Sequence, residues 1–96
     1  MKSKDSYKRQ ARVLKALANE TRLMIIDRLS KGECHVGELV RIIGADQSTI
    51  SKHLAVLRSM GVVDDERRGN TVCYRLLAPC VVSFFSCASK VIRARG

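Results

Sequence analysis

Residues 46–61 read DQSTISKHLAVLRSMG. Asp46 is placed to cap a helix, because its carboxylate can accept a bond from a backbone N–H in the first turn. Gly61 stands where helices end in the left-handed conformation that glycine tolerates. At roughly 100° per residue, Ile50, Leu54, Leu57 and Met60 gather on one side, with Val56 and His53 at its edge. The opposite side carries Gln47, Ser48, Ser51, Lys52, Ala55 and Arg58, and no large aliphatic. A helix entering a DNA major groove about 12 Å wide needs such a face. Small residues permit close approach, while amides, hydroxyls and cations bond base edges and phosphates. Thr49, in the first turn, belongs to the same candidate set. An ordinary amphipathic surface helix would show the same apolar stripe, so the next segment decides.

After Gly61 the pattern becomes extended. VVDDERRGNTVCYRLL holds two β-capable runs, Val62–Arg67 and Thr71–Leu77, around a turn at Gly69-Asn70. The tip bears Arg67, Arg68 and Asn70, a composition suited to phosphate contact. A reading helix followed by a basic two-stranded hairpin is a winged helix-turn-helix.

The remaining segments arrange themselves around this pair. Tyr7–Ala18 predicts a helix with Tyr7, Ala11, Leu14 and Ala18 on one side and Lys8, Arg9, Arg12 and Lys15 largely on the other. Asn19 caps a second, Glu20–Ser30, expected to bury Leu23, Ile26 and Leu29. Val36–Ile43 forms a short third, and Gly44-Ala45 makes the tight turn into the reading helix. After Pro79 a last helix presents Cys80, Val81, Phe84, Phe85, Cys87, Ala88, Val91 and Ile92 together. The expected fold is mostly α with a small β-hairpin wing, in the order ααααββα. One domain spans residues 1–96, with the helix-turn-helix at 36–60, the wing at 62–77 and dimerisation helices at 1–18 and 79–96.

Ninety-six residues make one small core, and a net charge of +9, from 18 Lys and Arg against 9 Asp and Glu, favours a polyanionic partner. No stretch approaches the apolar length of a membrane span, and the charged N-terminus lacks the apolar run of a signal peptide. A cytoplasmic protein with reduced thiols is expected. The three middle helices and the wing leave little interior for two further apolar helices. A twofold homodimer through the first and last helices solves this. It places two reading helices one DNA turn apart, on an inverted-repeat operator, with affinity falling steeply in salt.

LKALANETRLMIIDRLSKGE followed by VGELVRIIGADQSTISKHLAVLRSMGVVDDERRGNTVCYRL resembles the ArsR/SmtB family of bacterial winged-helix repressors, over about residues 12–77. The resemblance implies a homodimeric repressor released from its operator by an inducer: toxic metals, arsenite or antimonite, or oxidising and sulfide-derived species. It implies DNA contacts from Gln47, Ser48, Ser51 and Lys52. His53 matches the family's S-x-H-L histidine, and its place toward the buried side favours packing or backbone bonding over base readout. The departures bear on the inducer. Where arsenic- and cadmium-type members carry Cys-x-Cys, this chain has His35 and Gly37, with Cys34 one residue earlier. The zinc-type site on the last helix uses Asp and His, and no His follows residue 53 here. Redox members carry a second-helix cysteine where Asp27 stands.

Cys73, Cys80 and Cys87 remain, at seven-residue intervals, with Cys34 as a further soft ligand. Thiolates are the reactive and metal-binding form, and soft ions favour sulfur. Seven helical residues set Cα atoms about 10.5 Å apart, beyond the roughly 7 Å a disulfide spans. Cys80 can therefore meet Cys87 only across a twofold, or after local unwinding. No bound cofactor is required. The expected inducer is As(III) or a soft metal ion acting at the C-terminal cysteines, with redox or reactive-sulfur sensing as the alternative. Plain burial as small apolar side chains competes with both.

An enzyme is not expected: the chain has no Gly-rich phosphate loop and no HExxH, and its His residues are scattered. RNA binding lacks a stacking platform among four aromatics. A winged helix serving only protein interaction is the rival reading, and the basic wing tip and small polar helix face argue against it.

Overall fold

The structure, a computed structural model, describes residues 3–95; the expected dimerisation segments reach residues 1, 2 and 96, which lie outside that range. Local capping sets the helix starts. Ser3 accepts a bond from the Ser6 N–H at 3.3 Å, so α1 runs Lys4–Leu17 and begins one turn before the apolar periodicity does. Asn19 accepts from the Arg22 N–H at 3.1 Å and opens α2, Glu20–Leu29. α3, Val36–Ile43, starts at His35, whose Nδ1 accepts from the Glu38 N–H at 3.3 Å. Gly44, at φ 84°, turns the chain toward α4, Gln47–Ser59, and Gly61 at φ 79° ends the turn after it.

The wing is a tight hairpin of β2, Val63–Arg68, and β3, Thr71–Leu76, paired from Val63 with Leu76 to Arg68 with Thr71. Gly69 alone of the two turn residues takes positive φ, at 64°. A two-residue strand missing from the expected order, β1 at Cys34–His35, pairs antiparallel with β3 and completes a sheet ordered β1-β3-β2. It anchors the wing to the segment entering α3.

The core joins α2, α3, α4 and the sheet: Ile25, Ile26, Leu29, Cys34, Leu39, Ile50, Leu54, Leu57, Val62 and Val63 are buried, with Leu17 and Val81 from the flanking segments. Leu23, expected inside, is 37% exposed, and Ile25 takes its place. α2 touches α3, α4 and β3 at once, so its enclosed sector is wider and rotated relative to one stripe.

The last helix also differs from expectation. Pro79–Val82 forms a 3-10 turn, and α5 runs Ser83–Arg95. α5 buries no residue, leaving Phe84, Val91 and Ile92 at 48%, 57% and 70% exposed, while α1 leaves Tyr7 and Leu14 at 45% and 50%. The Cα radius of gyration, 14.7 Å, exceeds the roughly 13 Å of a compact 100-residue domain.

Candidate nucleic-acid interface

α4 is held by fully buried Ile50, Leu54 and Leu57, and its other side is open: Gln47, Ser48, Ser51, Lys52, Ala55 and Arg58 are all exposed. Thr49 is half-buried and occupied by the cap, its N–H donating to Asp46 Oδ1 at 3.2 Å. Bonds from the Thr49 hydroxyl and amide hold the Asp46 carboxyl below the usual carboxylate range. Arg58 pairs with Asp65 at 3.0 Å, tying the end of α4 to β2.

At the wing, Arg67, Arg68 and Asn70 are exposed. Arg68 is not free: it reaches Glu33 at 2.9 Å and Glu66 at 3.4 Å. Those two carboxylates, Glu66 foremost, hold its guanidinium firmly protonated. Among the described residues Lys52 and Arg67 take part in no ion pair, so they are the readiest cations for phosphate. A cleft of about 240 Å³ brings Gln47, His35, Asn70 and Thr71 together, joining the start of α4 to the wing.

His53 is half-buried, and among the described residues its side chain bonds Arg22 and no backbone group. Arg22 Nε donates to its Nδ1 at 3.0 Å, and Arg22 Nη1 donates to the Ala16 carbonyl at 2.8 Å. Burial, and then the Arg22 charge, push the imidazole below its ordinary range. Neither Arg22 nor Glu33 carried a signal in the sequence, because both act through partners remote along the chain.

The cysteines separate by environment. Cys34 is 2% exposed in the core, and burial pushes its thiol up. Its neighbour His35 caps α3 through Nδ1 and sits 3.1 Å from Glu38 Oε1 through Nε2, so both ring nitrogens are engaged. Cys34 and His35 therefore do not fit a metal site before α3. Cys73 is half-buried in β3, while Cys80 and Cys87 are exposed. Cys80 lies in the 3-10 turn, where the rise of about 2 Å per residue lengthens its axial distance to Cys87. Cys80 also borders an apolar cavity of about 420 Å³ with Leu14, Leu17, Met60, Val62 and Phe84, on the α1–α5 side. No three His, Cys, Asp or Glu among the described residues cluster to hold a metal ion. No helix among them is long and apolar enough to cross a membrane.

Comparison with known proteins agrees with this architecture. Residues 19–65 match the family described as bacterial regulatory protein, arsR family. The HTH-type transcriptional regulator Rv0081 of Mycobacterium tuberculosis is 37% identical over 93 residues, covering 96% of this chain and 82% of its own. Its crystal structure superposes with a TM-score of 0.82 at 35% identity, over 96% of this chain and 93% of that one. The solution structure of Mb0332 from Mycobacterium bovis, described as a homodimeric winged helix-turn-helix DNA-binding domain, gives a TM-score of 0.79 at 33% identity, over 98% and 90% of the two chains. The biofilm growth-associated repressor of Xylella fastidiosa is 44% identical over 66 residues, 69% of this chain and 58% of its own. Rv0081 and the X. fastidiosa protein are named as a transcriptional regulator and a repressor, and Mb0332 as a possible ArsR-family regulator. With the winged helix-turn-helix in place and a relative this similar along nearly its whole length, the chain belongs to the ArsR family of bacterial transcriptional regulators.

Proposed function

We propose that the protein is a cytoplasmic, homodimeric repressor that binds an inverted repeat in double-stranded DNA and leaves it when a thiol-reactive inducer engages Cys80 and Cys87. The observation carrying the DNA reading is the open face of α4, whose residues are each small or polar, on a helix fixed from behind by Ile50, Leu54 and Leu57. Gln47, Ser48, Thr49, Ser51, Lys52 and Arg58 line that face or its edge, and Arg67, Arg68 and Asn70 on the wing flank it. Apolar side chains left open on α1 and α5 support the dimer, as does the description of the M. bovis relative. A twofold through these helices sets two α4 helices about 34 Å apart, one turn of B-DNA. A mobility-shift assay on the promoter of its own operon tests this. Binding that weakens in Lys52→Ala supports it, and no shift at low salt overturns it, leaving the protein-interaction reading.

As(III) or a soft metal ion is the favoured inducer class, and an oxidant or reactive-sulfur species engaging the same two exposed thiols is the second reading. A coupling of about 1–3 kcal/mol would suffice for release. Seven residues along a helix set Cα atoms about 10.5 Å apart, so in this reading Cys80 of one subunit pairs with Cys87 of the other. Titrating the operator complex with arsenite, zinc, cadmium and a persulfide donor separates the classes. The Cys80→Ser, Cys87→Ser double variant should bind normally and ignore the inducer; a normal response would defeat the cysteine assignment.

A further inference from the structure

We propose that Arg22 and His53 form a strut by which α1 fixes the attitude of α4, making Arg22 a positioning residue for DNA binding and the contact breakable by acid. The inference rests on the DNA-reading role of α4 proposed above. Arg22 is held at both ends. Its backbone N–H joins the Asn19 cap at 3.1 Å, and its guanidinium reaches the Ala16 carbonyl in the last turn of α1 at 2.8 Å and His53 Nδ1 in α4 at 3.0 Å. One planar cation therefore ties the end of α1 to the middle of α4. His53 lies opposite the exposed Ser51 and Ala55 and is itself no candidate DNA contact, so losing the strut removes none. Ile50, Leu54 and Leu57 still bury without it, so α4 stays folded and gains freedom to roll.

The bond dictates a protonation state. Guanidinium nitrogens only donate, so His53 Nδ1 must offer a lone pair and the proton must sit on Nε2. A second proton, on Nδ1, sets a donor against a donor and places two cations in contact. Among the described residues Arg22 is the one charge that bears on His53. The other ionisable groups on the elements packed against α4 do not: Lys15 on α1, Glu20, Asp27 and Arg28 on α2, Glu38 and Arg41 on α3, Asp64 and Asp65 on β2. Because burial and Arg22 both disfavour the cation, the strut stays intact at neutral pH and opens only below the ordinary histidine range of about 6.5.

The test measures operator affinity by fluorescence anisotropy at about pH 7.5 and about pH 5.5. Loss of a bond to a charged group predicts that wild-type affinity falls about tenfold on acidification. His53→Asn, which keeps an acceptor that does not titrate, should bind like wild type at the higher pH and lose most of that fall. Arg22→Gln should melt somewhat earlier, yet at temperatures where it is fully folded it should bind weakly at both values while its dimer constant stays near wild type. In parallel, imidazole nitrogen shifts should show His53 as the Nε2–H tautomer, titrating low and moving up in Arg22→Gln. A wild-type pH slope retained in His53→Asn, or an Nδ1–H tautomer in the wild type, overturns the strut. Wild type that binds no DNA at either pH, yet shows the Nε2–H tautomer, overturns the reading role of α4 instead, and with it any function for the strut.

Discussion

Ile92 offers the most direct handle on assembly. It keeps 70% of its surface open on a helix that has no fully buried residue. Fully burying an isoleucine side chain is worth about 1.5–3 kcal/mol, so a partner covering the open share adds about 1–2 kcal/mol per copy. A twofold contact uses the residue twice, bringing the total to about 3 kcal/mol, or roughly a hundredfold in the dimer dissociation constant. Ile92→Gln isolates this contribution, since glutamine is a good helix former and adds no charge. Sedimentation equilibrium should show the dimer weakened roughly a hundredfold, while a melt recorded under monomeric conditions matches that of wild type. An unchanged dimer constant in a well-folded variant would show that α5 does not meet its symmetry mate.

Cys34→Ser puts a hydroxyl in an apolar pocket and should lower stability by about 1–3 kcal/mol in denaturant unfolding; a thiol titration of the native wild type should leave Cys34 unreacted while Cys80 and Cys87 react promptly. The bonds from Thr49 stabilise ionised Asp46, so their contribution is present above the ordinary aspartate range and fades as pH falls through and below it. Asp46→Asn, which can still cap, should flatten that acid limb in thermal melts across pH; a wild-type limb in the variant would contradict it. The Glu33→Gln, Glu66→Gln double variant releases Arg68 from both carboxylate partners, so DNA affinity should rise and the salt slope steepen by about one per subunit. An unchanged slope would place Arg68 away from phosphate.

Much of this was legible in the sequence because it is local. The Asp46 and Asn19 caps, the glycines at 44, 61 and 69, and the α4 stripe each depend on residues within one turn of one another. What stayed hidden depends on remote partners. A two-residue strand at Cys34–His35 is too short to have a period and exists only because β3 lies beside it. The ion pair that engages Arg68 was hidden, because nothing in a hairpin sequence announces Glu33, 35 residues away. The expected inward turn of Leu23 came from assuming one stripe on a helix that packs against several elements. His53 lies toward the buried side of α4 as its position in the stripe suggests, yet its partner is the Arg22 side chain, 31 residues earlier, and not the backbone. At the C-terminal end, the helical wheel ran through Pro79–Val82, where the chain makes a 3-10 turn and Cys80 leaves the regular helix.

The most direct test is the stoichiometry and salt dependence of binding to a duplex carrying the inverted repeat from its own promoter. Two protomers per duplex are predicted, with log affinity falling linearly and steeply against log salt, and with a half-site bound far more weakly. One protomer bound equally well to half and whole sites would contradict paired α4 helices reading adjacent grooves.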